Sequence, residues 1–152
     1  MLSIVDADFT DPLLHSFLQE HLDDLAPTAP PESRHALDLT ALQAPGVRMW
    51  VARADAQIVG TAALAELAPA QEELKSMRTA PQRRGAGIAS QLLHHALSDA
   101  RSRGVKQVFL ETGSMDFFAP ARALYRKNGF RECPPFGAYR EDPNSVFMTL
   151  LL

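Results

Sequence analysis

The chain has 152 residues, of which 46% are hydrophobic and 22% charged, with a formal net charge of −3. That length and balance suit one globular domain, residues 1–152, around a single core, and exclude a chain dominated by disorder. The mild acidity offers no global attraction to nucleic acid or anionic lipid, and a single cysteine, Cys133, excludes a disulfide framework and any multi-cysteine zinc site.

The N-terminus, MLSIVDADFTD, has no basic stretch leading into an apolar run, so no signal peptide is read. No apolar run approaches the roughly 18–20 residues of a membrane span. A cytoplasmic protein with neither membrane nor nucleic acid as partner is expected. Residues Ser3–Ala7 read as a first strand. Asp11-Pro12 is a helix-start signal, with Asp as N-cap and Pro at the first helical position. Leu14, Phe17, Leu18, Leu22 and Leu25 follow at helical spacing. The Pro-dense Ala26–Glu32 reads as a loop, and a second, shorter helix is predicted over about Arg34–Gln43, stopped by Pro45-Gly46. Val47–Ala54 and Gln57–Leu67 read as a hairpin turning at Asp55-Ala56, and Glu72–Thr79 as another strand.

After Ala80-Pro81 comes Gln82-Arg83-Arg84-Gly85-Ala86-Gly87, then a helix whose apolar face is Ile88, Leu92, Leu93, Ala96, Leu97 and Ala100. Gly104 closes it, with Arg101 and Arg103 in the last turn. Gln107–Thr112 reads as a buried strand, Pro120–Asn128 as a helix ended by Gly129, and Phe130–Cys133 and Val146–Leu151 as the last strands. The order β-α-α-β-β-β-α-β-α-β-β predicts an α/β (α+β) fold. Its strand–helix–strand unit through Gly104 should be parallel and right-handed, its early hairpins antiparallel, and its mixed sheet covered by helices on both faces.

A glycine-rich turn between strand and helix has a physical use. Glycine adopts positive φ and lets backbone approach a ligand, and the first N–H groups of a helix lack partners and favour phosphate. Read without further context, the segment is either such a phosphate cradle or a tight turn with solvated arginines. It lacks the Gly-Lys-Ser/Thr ending of a nucleoside triphosphate loop and the Gly-x-Gly-x-x-Gly spacing of a dinucleotide fold, which argues against ATP and NAD.

Gln82-x-x-Gly85-x-Gly87, following a strand and opening an amphipathic helix, resembles the Gln/Arg-x-x-Gly-x-Gly/Ala motif of the GNAT acetyltransferases. Met77-Arg78-Thr79-Ala80-Pro81 resembles the strand end that precedes it, and Leu124-Tyr125-Arg126-Lys127-Asn128-Gly129-Phe130 resembles the family's Leu-Tyr-x-x-x-Gly-Phe. The resemblance runs from about Val47 to the end, and the stretch from Pro134 to Met148 resembles a little-characterised bacterial subgroup. It implies a single-domain GNAT fold and acetyl-CoA as acyl donor. Met77, Arg78, Thr79, Gln82, Arg84, Gly85, Ala86, Gly87, Ile88, Ala89 and Tyr125 are the implied donor-binding residues. It also implies that the strands ending at Thr79 and Thr112 splay apart beside the pantetheine arm. Phe118 departs from the pattern, standing where many members carry an Asn that contacts pantetheine; Ser114 is one replacement for that contact.

Acyl transfer from a thioester to an amine needs a neutral amine, a donor for the oxyanion, and a proton for the departing sulfur. By the resemblance, Tyr125 is the acid, the alternative being a ring that packs in the core with its hydroxyl satisfied locally. Glu73 is the base, against the reading of a solvated hairpin charge. Glu72 points to the opposite sheet face by strand alternation. The resemblance also implies that a backbone N–H near Met77–Thr79 meets the oxyanion. Cys133 reads as an ordinary buried or half-buried thiol. His94 and His95 are adjacent on a helix and face different ways, His15, His21 and His35 show no ligand spacing, and no metal is expected.

The loop Pro134–Ser145 lies where GNAT enzymes shape the acceptor pocket. Arg78 and Arg140 suggest a carboxylate-bearing amine, the other reading being surface charges or phosphate contacts, and Tyr139 joins them as a substrate contact. The leading expectation is an N-acetyltransferase acting on a small-molecule primary amine. A protein N-terminal or lysine acetyltransferase and a non-catalytic acyl-CoA sensor are the alternatives. Family members often dimerise, and the C-terminal strands could pair between two copies, so a homodimer stays open.

Overall fold

A computed structural model describes residues 1–33 and 38–152. The strands are β1 (Leu2–Asp6), β2 (Val47–Ala54), β3 (Gln57–Ala68), β4 (Gln71–Thr79), β5 (Gln107–Gly113), β6 (Arg131–Glu132) and β7 (Ser145–Leu151). The α-helices are α1 (Pro12–Leu25), α2 (Leu39–Leu42), α3 (Ile88–Ser102) and α4 (Ala119–Lys127). This is the order expected from the sequence, with ends within a residue or two for most elements. The exception is the second helix. Its described part starts only at Leu39, because Asp38 takes an extended conformation and accepts a hydrogen bond from the Ala41 N–H as N-cap. The remainder of the predicted span, and His35 with it, lies outside the described residues.

Asp11 caps α1 as its sequence signal implies: its side chain accepts from the Leu13 N–H at 2.9 Å while Pro12 opens the helix. The same carboxylate pairs with Arg53 of β2 at 3.2 Å, which ties the helix start to the sheet.

The strands form one sheet in the order β1-β2-β3-β4-β5-β7-β6. Every pair is antiparallel except β4–β5, the parallel pair joined through α3. Strand alternation sorts the core into two layers. Met49, Val51 and Ala63 pack with Leu14, Leu18 and Leu42 of α1 and α2. Trp50, Ala52, Ala62 and Leu64 pack on the other face with Leu92, Leu93, Ala96 and Leu97 of α3, and Tyr125 of α4 joins that layer. Leu92 and Leu93 are fully buried, and each contributes about 1.5–3 kcal/mol by leaving water.

The ends of β4 and β5 position the site. Pairing between them runs only from Gln71↔Gln107 to Leu74↔Leu110. Beyond Leu74 the two strands part, while β5 stays paired with β7 as far as Gly113↔Ser145. A bulge between β3 and β4 falls at the same level, where the register shifts between Thr61 and Ala63. Ser76 takes a left-handed φ of 53° there, and the Thr61 hydroxyl donates to its carbonyl at 2.8 Å. The splay expected between these strands is present.

Candidate active site

The turn after β4 is built around two glycines. Gly85 and Gly87 have φ of 83° and 80°, and a Cβ at either would meet nothing within 4 Å. Conformation, not space, demands glycine at both. Gly87 is the cap residue of α3, which has no side-chain cap, and the Gln91 N–H to the Gly87 carbonyl is the bond that starts the helix ladder. The backbone N–H groups from Arg84 to Ser90 therefore find no acceptor among the described residues. With the dipole of a 15-residue helix behind them, they form a cradle for an anion. Gln82 is exposed in the short turn Pro81–Arg83, and the Arg84 guanidinium lies 5.9 Å over the ring of Phe117.

A cleft lies between the parted strands. Ser76 and Met77 of β4 form one wall and Thr112 and Gly113 of β5 the other, with Phe118 and Tyr125 between them. His21, Leu22 and Leu25 of α1 cover it. Tyr125 is buried, its ring edge-on to Phe130 at 5.8 Å, and its hydroxyl makes no hydrogen bond with the described residues. Burial pushes its phenol well above the usual tyrosine range, so it keeps its proton at neutral pH.

Phe118 packs directly on the backbone of Gly113; a Cβ there would come within 2.1 Å of the Phe118 ring. The Ser114 hydroxyl, one replacement for the missing Asn contact, donates to the Pro143 carbonyl at 2.6 Å. The cleft wall at this point is an aromatic ring.

Glu73 is buried and lines this cleft, and it also lines a second one beside loop 137–142. It pairs with Lys75 at 3.1 Å and accepts a hydrogen bond from the Tyr139 hydroxyl at 2.5 Å. It is no solvated hairpin charge. Glu72 faces the other side, as alternation requires, and Arg103 at the end of α3 grips it with two bonds of 2.7 and 2.8 Å.

The acetyltransferase (GNAT) domain family matches residues 45–132 of the chain, the stretch that builds the cradle, the splay and α4. The chain belongs to the GNAT family of acetyltransferases. It is 45% identical to the uncharacterized N-acetyltransferase YsnE of Bacillus subtilis, over 93% of this chain and 94% of that protein. It is 40% identical to the uncharacterized N-acetyltransferase YedL of Escherichia coli, over 100% of this chain and 96% of that one. Its fold superposes with a TM-score of 0.78 on the PaiA N-acetyltransferase of Thermoplasma acidophilum, a structure in complex with coenzyme A, at 18% identity over 100% and 99% of the two chains. The protein is thus an acyltransferase of a little-characterised bacterial GNAT subgroup.

Within this GNAT enzyme, two substrate-side expectations change. The Arg78 side chain does not face the cleft. It is buried, pairs with Asp24 of α1 at 2.9 Å and lies 5.4 Å over the Phe17 ring. Its Nη2 ties α1 to the sheet through Asp24. Tyr139 spends its hydroxyl on Glu73, while Arg140 is exposed at the second cleft. Thr79, the last residue of β4, pairs with Gly60. Ile88 is buried under the cradle, with Ala86 exposed and Ala89 half-buried. His94 bonds Asn128 while His95 sits edge-on to Trp50, so the two histidines do face different ways. Cys133 is half-buried.

Sequence reasoning missed Lys75 and His21. Lys75 carried a usable signal, since two residues from Glu73 on a strand means the same face. His21 carried none, because α1 reaches the cleft only through tertiary packing.

Proposed function

We propose that this GNAT enzyme moves an acetyl group from acetyl-CoA to the primary amine of a small molecule, by direct attack in a ternary complex. The observation that carries this reading is the unbroken run of unpaired N–H groups from Arg84 to Ser90, in a fold whose strand cleft is lined by both Tyr125 and Glu73. The residues present fit the donor: the cradle suits a pyrophosphate, and the backbone of β4 beyond Leu74, unpaired toward β5, suits an amide-bearing arm. Acetyl-CoA supplies an acyl group already activated as a thioester.

Glu73 takes the proton of the attacking amine, directly or through a water. A backbone N–H near Met77–Thr79 stabilises the developing oxyanion. Tyr125, protonated because it is buried, donates its hydroxyl proton to the departing sulfur. With Arg78 committed to Asp24, one of the two cations behind a carboxylate-bearing acceptor is lost, and the proposal requires only a primary amine.

Calorimetry with acetyl-CoA, followed by thiol release against a panel of amines, tests the reading. Tight donor binding and an amine-dependent thiol signal are expected. Tyr125→Phe should cut the rate constant about 10- to 100-fold with donor affinity little changed. Failure of acetyl-CoA to bind would overturn the proposal.

A further inference from the structure

The Glu73 carboxylate is held by two groups that have no part in the chemistry above. The Tyr139 hydroxyl donates to Oε2 at 2.5 Å, Lys75 Nζ donates to the same oxygen at 3.1 Å, and Lys75 Nζ also donates to the Tyr139 oxygen at 3.0 Å. The three groups close a triangle on one carboxylate oxygen. Oε1 accepts no hydrogen bond from the described residues.

The support behind this triangle is rigid. The Tyr139 ring lies 5.0 Å from Phe136 and 5.5 Å from Phe147, and Phe136 packs 4.8 Å from Phe109 of β5. The Tyr139 N–H also bonds to the Phe136 carbonyl at 3.0 Å. Lys75 is enclosed, with its side chain only 10% exposed. The acceptor-side loop is thereby anchored to the sheet and carries a hydroxyl to the carboxylate.

We propose that Lys75 and Tyr139 are positioning residues for acyl transfer. They pin Oε2 so that Oε1 is presented to the acceptor amine. As the amine N–H bond breaks, its electron pair stays on nitrogen and the proton goes to Oε1. This rests on the reading of Glu73 as base. Two donors on one oxygen favour the charged carboxylate, and fixing its rotation places the receiving oxygen before reaction. The other titratable or charged groups lining the two clefts are Tyr125 on α4, Glu111 on β5, His21 on α1, and Glu32, Arg140, Glu141 and Asp142 around the second cleft.

The test uses the full chain with 13C-labelled glutamate carboxyls, the Glu73 resonance being assigned by its loss in Glu73→Gln. Losing a donor should move its titration midpoint upward in Tyr139→Phe and in Lys75→Met, while Lys75→Arg stays near wild type. The acid limb of the transfer rate, measured with an amine accepted in the panel above, should move by the same amounts. A midpoint unmoved in both Tyr139→Phe and Lys75→Met would overturn the positioning role. A midpoint that moves while the acid limb stays fixed, with Glu73→Gln keeping the wild-type rate, would instead remove Glu73 as base and leave the triangle a structural contact.

Discussion

At the scale of single residues, Arg78 shows how a charge can look functional in sequence and be structural in the fold. It stands on β4 next to Met77, which lines the cleft, yet its guanidinium is buried against Phe17 and paired with Asp24. Arg78→Ala removes the pair and the ring contact together. A stability loss of about 1–3 kcal/mol is expected in chemical denaturation, with the apparent KM for an acceptor carboxylate no worse than for a simple amine. A selective loss for carboxylate acceptors would restore the reading made from sequence. Glu73 is the opposite case. The charge that could have been a solvated hairpin residue proves buried and held by Lys75 and Tyr139. Sequence could name Glu73 and Tyr125, because both lie at fixed offsets from glycine motifs. It could not supply their surroundings, which come from β5, α1 and the loop at Tyr139.

At the scale of elements, α3 is anchored at both ends by opposite means. Its N-terminus leaves N–H groups open, while its C-terminus is closed by Arg103, which bonds Asp99 at 2.7 Å and Glu72 of β4 twice. Those carboxylates push the Arg103 guanidinium even further up from its ordinary range, chiefly through the hydrogen bonds to Glu72. Arg103→Ala would leave Glu72, 11% exposed at its side chain, without its cation. A destabilisation of about 2–3 kcal/mol is expected in urea melts, with acetyl-CoA affinity within about twofold of wild type, since the cradle lies at the far end of the helix. The helix and its glycines were legible in sequence because capping and apolar periodicity are local. The start of α2 at Leu39 was not legible, because propensity alone does not place the Asp38 cap that begins it.

At the scale of the whole molecule, stability should depend on pH through His21. Burial, with the Arg78 cation adding to it and Asp24 opposing, lowers its pKa from 6.5 to about 4. The native state therefore keeps His21 neutral, while the unfolded chain takes up a proton below about 6.5. The stability tied to this group is complete above that value and is lost as pH falls from 6.5 toward 4. The loss is about 3 kcal/mol, or roughly 6–12 °C in unfolding temperature for a domain of this size. Thermal melts at pH 7 and pH 4.5 should show a larger drop for wild type than for His21→Gln. An equal drop in both would mean that α1 does not bury this imidazole.

The division between what could be read from the chain and what required its folding follows the range of the interactions involved. The order of strands and helices, the glycine turn, the apolar faces of α1 and α3, and membership of the GNAT family all rest on residues a few positions apart, so periodicity and motif spacing reveal them. The parting of β4 from β5, the burial of Arg78 under α1, and the grip of Lys75 and Tyr139 on Glu73 join groups that are remote in sequence or set their surroundings. Tyr139 lies 66 positions from Glu73. A contact of that span costs loop closure and is settled only when the core fixes which faces meet. The chain therefore declares its glycine cradle openly, while the environment of Glu73 is set by packing.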